Sequence, residues 1–290
     1  MSERMIDRRR WLAGLAAGAA VPVVGAAADP KPVARGIVAD PLTTLIRMRG
    51  ALDERLVVSF LEGVYYGVME SRIRPLYGLS AGLFRQYRRR SDGGYDFANL
   101  EVVYVTDLDT DGLLTEFRNP YSGRTGKPPQ TRLGPALLTI TPSLEVTRPG
   151  AAMPGAAAAA ATSFHRFRAP RVVGDDVWIV EESAVQAPPP MSFAFNEVLT
   201  YHARVSDLAD AARQHVPTDV HFNPVIGWRP WQGMDGFDGP PSHVTGSCAG
   251  RVVTAIDELP ARYLEWTARH HPDVLDDPLA LLAGAWAARR

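Results

Sequence analysis

The chain is a succession of short apolar runs, each closed by a turn signal, and this constrains the fold more than any other feature. Runs 56–61 and 65–69 are separated by Gly63, and runs 83–90 and 95–106 flank Ser91-Asp92-Gly93-Gly94, a strong hairpin signal. A further hairpin is expected between 102–106 and 113–118, across the Asp/Gly-rich turn ending at Gly112. Asn119-Pro120-Tyr121-Ser122-Gly123 is a stop, and runs 137–141, 177–183, 192–204 and 220–226 complete the candidate strands. Strand after strand with few helices between predicts a mainly β fold, an antiparallel meander. Closing such a sheet removes its exposed edges, so a closed or nearly closed barrel is expected, with a two-sheet sandwich as the alternative. Short helices are expected at both ends. Asp40-Pro41 reads as an N-cap with proline at the first helical position. Near the C-terminus, Leu259, Tyr263 and Trp266 share one helical face, and Asp277-Pro278 opens a second helix through Leu281, Leu282 and Trp286.

The first 28 residues carry an address. Arg8, Arg9 and Arg10 lead into Trp11-Leu12, then an Ala/Gly-rich apolar stretch to Val24, then Ala26, Ala27 and Ala28. This is the order of an export signal with a small-residue cleavage site. The arginine pair before an aromatic-Leu step predicts the twin-arginine machinery as a partner and a periplasmic or extracellular location. A plain secretory signal or an uncleaved anchor is the alternative. The apolar stretch is short of the ~20 residues that span a bilayer, and no second long apolar segment follows, so no membrane span is expected after cleavage. Residues 29–39 read as a flexible leader and 40–290 as a single domain, with a Pro/Gly/Ala-rich insertion near 149–163.

Thirty-one Lys and Arg against 32 Asp and Glu leave no basic footprint for a nucleic acid. One cysteine, Cys248, excludes an internal disulfide and a cysteine-rich metal site. Its setting, Gly246-Ser247-Cys248-Ala249-Gly250, reads as a small-residue turn. Gly78-Leu79-Ser80-Ala81-Gly82 matches the nucleophile elbow of serine hydrolases, but that elbow belongs to a strand-helix alternation this chain lacks. Asp107 to Gly112 matches half of a calcium loop, yet its twelfth position is Arg118 where a carboxylate is needed. His270 and His271 read as surface residues at a helix end. No metal ligand set is expected, and no cofactor is named by any motif.

Strand alternation gives the remaining candidates. In 194–204, Asn196, Thr200, His202 and Arg204 share one face and Phe195, Glu197, Leu199 and Tyr201 the other. Either face would bring polar groups into a barrel lumen. Glu181-Glu182 ends another strand, and Glu101 lies inside an apolar run beside Tyr104. Charges in buried strands are costly unless paired, which assigns Arg47, Arg49, Arg85 or Arg118 as partners. Trp228-Arg229-Pro230-Trp231 could rim a pocket and stack on a flat ligand. The expectation is that Glu197, His202, Glu182 and Glu101, as acid/base groups, converge with Trp228, Arg229, Trp231, Asn196 and Tyr104, as ligand contacts.

Together these segments resemble a bacterial and fungal family catalogued as domain of unknown function 1838. The matching strings are DPLTTLIRMRG from Asp40, EGVYYGV from Glu62, FRNPYSG from Phe117, VVGDDVWIVEES from Val172, FNEVLTYHA from Phe195 and GWRPW from Gly227. The resemblance spans nearly all of the chain after the signal. It implies a single-family, often exported domain and no established activity, so it transfers no catalytic residue. The expected function is therefore an exported barrel that binds a small apolar or aromatic ligand. Its luminal acids and bases would suit a cofactor-independent isomerase, cyclase or dehydratase. The alternatives are a serine esterase built on Ser80 and a non-catalytic envelope protein.

Overall fold

Turn chemistry and alternation build the sheet in chain order. The structure, a computed structural model, describes residues 32–147, 162–186 and 194–287. The expected signal at 1–28 and nearly all of the expected insertion lie outside these residues. Helices α1 (Pro32–Ala39) and α2 (Pro41–Arg49) come first. The Asp40 carboxylate accepts from the Thr43 backbone N–H at 3.1 Å, and Pro41 occupies the first turn, as the sequence predicts. Where the sequence reads a flexible leader, residues 32–39 are helical, because Ala34 and Ile37 bury an apolar face.

Strands β1 (Val57–Met69), β2 (Arg72–Arg89), β3 (Tyr95–Thr106) and β6 (Thr131–Ile140) form an antiparallel run. β4 (Phe117–Arg118) and β5 (Thr125–Gly126) pair only with each other. After β7 (Val146–Thr147) and β8 (Thr162–Phe167) come β9 (Arg171–Val173), β10 (Asp176–Gln186) and β11 (Ala194–Arg204). A short helix, α3 (Val205–Ala209), leads to β12 (Thr218–Ile226) and β13 (Ser242–Val253). The order across the main sheet is β7-β6-β3-β2-β1-β13-β12-β11-β10-β8, with β9 against β10. Its two edges meet: Glu145 bridges Arg166, and the Phe167 N–H donates to the Leu144 carbonyl at 2.8 Å. The result is the expected barrel, nearly closed. Among the described residues, the backbone contacts across the seam lie at that end. Among the described residues, β6 pairs on its outer side with β7 through Thr139 and Ile140 alone.

Two apolar cores follow from the alternation. One fills the lumen beneath α2, with Leu45, Met48, Val57, Tyr87, Phe97 and Ile140. The other lies outside β1–β3, where α4 (Ala261–His270), α5 (Pro272–Asp276) and α6 (Pro278–Ala287) cover Phe60, Phe84, Val102 and Tyr104. Gly82 makes that docking possible, since a Cβ there would lie 2.4 Å from the Tyr263 hydroxyl.

Two readings are corrected. The 113–118 segment is not the strand partner of β3; it meets it at the Thr106–Leu113 bridge, where the Leu114 N–H donates to the Val105 carbonyl at 2.9 Å, and β6 takes the partner's place. The Gly78–Gly82 motif lies in the middle of β2, with no strand-to-helix elbow there, and the buried Ser80 hydroxyl donates to Glu62 at 3.1 Å. Small residues around Cys248 do not form a turn either. They lie in β13 and let it run close to β1, with a Cβ on Gly250 only 1.8 Å from the Phe60 carbonyl oxygen.

Candidate functional site

The lumen encloses a cavity of about 610 Å³ between the α2 end and the loop after β12. Its walls are mostly aliphatic and aromatic, including Leu61, Leu79, Leu83, Val103, Leu199 and Phe222. Leu133 of β6, at 54% exposure, and the exposed Pro129 before that strand also line it.

The floor is a buried ion pair. α2 delivers Arg49 and β10 delivers Glu181, exposed by only 2% and 3%. Arg49 grips Glu181 with both ends of its fork, Nη2 to Oε1 at 2.9 Å and Nε to Oε2 at 3.0 Å. Tyr201 Oη donates to Glu181 Oε2 at 2.7 Å, His165 Nε2 lies 2.7 Å from Oε1, and Arg49 Nη1 donates to Tyr87 Oη. The guanidinium sits 4.8 Å from the centre of Phe97 and 5.2 Å from that of Phe167. Burial opposes ionisation of Glu181, but the Arg49 charge and the His165 contact outweigh it and hold the carboxyl well below the usual range. Every strong acceptor site is thus used, the condition under which a buried pair is tolerated.

Higher in the lumen the carboxylates are less well matched. Arg85 donates from Nε to Asn99 Oδ1 at 2.9 Å and from Nη1 to Ser59 Oγ at 2.7 Å. Glu101, two residues along β3 from Asn99, feels Arg85 only through its charge, and burial raises its pKa. Glu197 accepts one hydrogen bond, from Ser183 Oγ at 3.3 Å. Burial, then the nearby Glu101 charge, push its pKa up to about 7; Ser183 and Arg229 pull the other way. Glu197 therefore exchanges a proton near neutrality inside an apolar chamber, which suits a general acid or base.

The roof is aromatic. Tyr65 and Tyr77 stack at 5.4 Å, and Tyr77 meets Trp231 at 5.3 Å and Phe117 at 5.6 Å. Gln232, in a 3-10 turn at Pro230–Gln232, donates to Tyr77 Oη at 2.7 Å, and its carbonyl accepts from Asn119 Nδ2 at 2.8 Å. Gly126 lets this turn approach β5, since a Cβ there would lie 1.7 Å from the Trp231 carbonyl oxygen. The Asn119–Gly123 turn thus acts as a bracket for the roof.

Of the predicted residues, Glu197, Glu101, Arg229 and Trp231 line this cavity. The others are placed elsewhere. His202 is on the outer face of β11, stacked on Trp178 at 5.3 Å, with Nε2 2.8 Å from Asp176 Oδ1. Glu182 also faces outward and accepts from Arg166 at 3.1 Å and Arg168 at 3.0 Å. Asn196 is exposed on the same face of β11 as His202. Trp228 donates to Ser242 Oγ at 2.9 Å and packs edge-on against Tyr121. Tyr104 belongs to the outer core, where its hydroxyl donates to Thr267 at 3.2 Å. Glu181 and His165 take the places expected for Glu182 and His202. Strand phase carried that signal: Val177 and Ile179 alternate with Glu181, and Leu199 and Tyr201 with Glu197, so the more apolar phase faces in.

Two further motifs resolve locally. Asp107 caps its own turn, accepting from the Thr110 N–H and hydroxyl, both at 2.9 Å. Cys248 is buried, and burial pushes its thiol up to about 12, far from a nucleophilic thiolate at neutral pH. Among the described residues, no group of three or more His, Cys, Asp and Glu side chains could hold a metal ion. No protein-family model, curated protein or solved structure matches the chain.

Proposed function

We propose that this domain binds one small, largely apolar molecule in its lumen and that Glu197 moves a proton on it. What carries the reading is the placement of a carboxyl group, Glu197, in the wall of a chamber otherwise mostly hydrocarbon and aromatic, where Ser183 Oγ contacts it at 3.3 Å and burial pushes its pKa up to about 7. Such a pocket, with few converging polar groups, is the usual form of a small-molecule site, and about 610 Å³ falls within the ~300–1,000 Å³ that holds one. Proton transfer at carbon or oxygen, as in isomerisation, cyclisation or dehydration, needs no more than a positioned acid or base. The Ser80 esterase is not part of this proposal, because its hydroxyl is held by Glu62 within a strand.

The binding step is tested with an uncharged apolar dye, Nile red, and the substitution Ala81→Trp. Ala81 lines the cavity, so the added ring occupies it. Saturable dye fluorescence is expected in the wild type and a loss of about tenfold or more in the variant. Equal binding by a variant that unfolds at the wild-type temperature would place the dye outside the lumen and defeat the reading.

A further inference from the structure

We propose that the ligand is an amphipathic monocarboxylic acid whose carboxylate is held by Arg229 at the roof of the cavity, a refinement that rests on the proposed luminal site. Three cations and three carboxylates line this space: Arg49, Arg85 and Arg229 against Glu101, Glu181 and Glu197. Arg49 is spent on Glu181, and Arg85 is occupied by Asn99 and Ser59. Arg229 is different. Its charge reaches both Glu197 and Tyr77, yet among the described residues its guanidinium makes neither an ion pair nor a hydrogen bond. The stretches 148–161 and 187–193, which border the described strands, contain no Asp or Glu that could neutralise it.

A half-buried guanidinium beside aromatic and aliphatic walls is costly to leave without an anion, and its planar fork matches the two oxygens of a carboxylate. Glu101 and Glu197 set the limit on charge. They repel a dianion, so a phosphate ester is disfavoured, whereas a single negative charge at Arg229 is balanced. With the carboxylate at the roof, the apolar body extends past Glu197 toward the Arg49–Glu181 floor. The proton-exchanging group then faces the body of the molecule, not its acid end.

The test is a binding titration of the full chain after the signal with two acids of different shape, hexadecanoate and 1-pyrenebutyrate, each beside its methyl ester. The acids are expected to bind about tenfold to a hundredfold more tightly than their esters, the range of one charge-assisted hydrogen-bonded contact. Arg229→Gln is expected to erase that preference while leaving ester binding in place, and Arg229→Lys to retain part of it. If acid and ester bind alike, or the preference survives Arg229→Gln, then Arg229 serves Glu197 alone and this inference fails while the luminal site stands. If neither acids nor esters bind the wild type, while Nile red does, the monocarboxylate class is wrong. If nothing enters, including the dye, the luminal site itself is wrong.

Discussion

At the residue scale, the account rests on how differently the barrel treats three luminal glutamates. Glu181 has a bidentate arginine, a tyrosine and a histidine; among the described residues, Glu101 feels the charge of Arg85 and Glu197 has a serine. The consequence for Glu197 is measurable. Its folded pKa of about 7 lies above the ordinary 4.5, so folding favours the protonated form. That contribution is complete below the ordinary value and is lost as the pH rises through about 7. Relative to Glu197→Gln, which cannot ionise, the wild type should therefore lose about 2 kcal/mol of stability between pH 5 and pH 8. Urea unfolding of both proteins across that range checks it. Parallel pH profiles would show that Glu197 ionises normally and is not a poised acid.

At the element scale, the ion pair joins helix α2 to strand β10 across the lumen, and its worth depends on completeness more than on strength. Glu181→Leu leaves Arg49 charged and buried, a loss of about 3–5 kcal/mol, whereas Arg49→Leu with Glu181→Leu should recover much of it. A double-mutant cycle by chemical denaturation reads the coupling, and additive losses would mean that the two charges do not depend on each other. The same elements show what the sequence could and could not reveal. Asp40-Pro41, the Ser91–Gly94 turn and Asp277-Pro278 act through neighbours within a few residues, so the helix starts and the β2–β3 hairpin were legible. Long-range pairing was not. Nothing near 113–118 discloses that β3 pairs instead with β6, which begins at Thr131. The small-residue stretch Gly246–Gly250 was also misleading, since it looks like a turn but is where β13 runs close to β1. Glu197 and Glu101 were found because they interrupt apolar runs. Glu181 was confused with Glu182 because both phases of β10 hold apolar residues, and the register with β8, which sets Arg166 opposite Glu182, separates them.

At the scale of the whole molecule, the nearly closed barrel carries a helix and an ion pair at one end of its lumen and an aromatic roof at the other. Among the described residues, no helix is long and apolar enough to cross a membrane. The twin-arginine address remains a proposal, motivated by Arg8 and Arg9 ahead of Trp11-Leu12. Replacing both arginines by lysine should block processing and export of the intact chain, and unchanged export would refute that route. The central claim, a lumen that holds a molecule, is tested most directly by mass spectrometry of the compounds released on denaturing protein purified from its native cells, wild type beside Ala81→Trp. The account predicts a single apolar compound at about one per chain from the wild type and its loss from the filled variant. An equal yield of the same compounds from both, or none from the wild type, would contradict it.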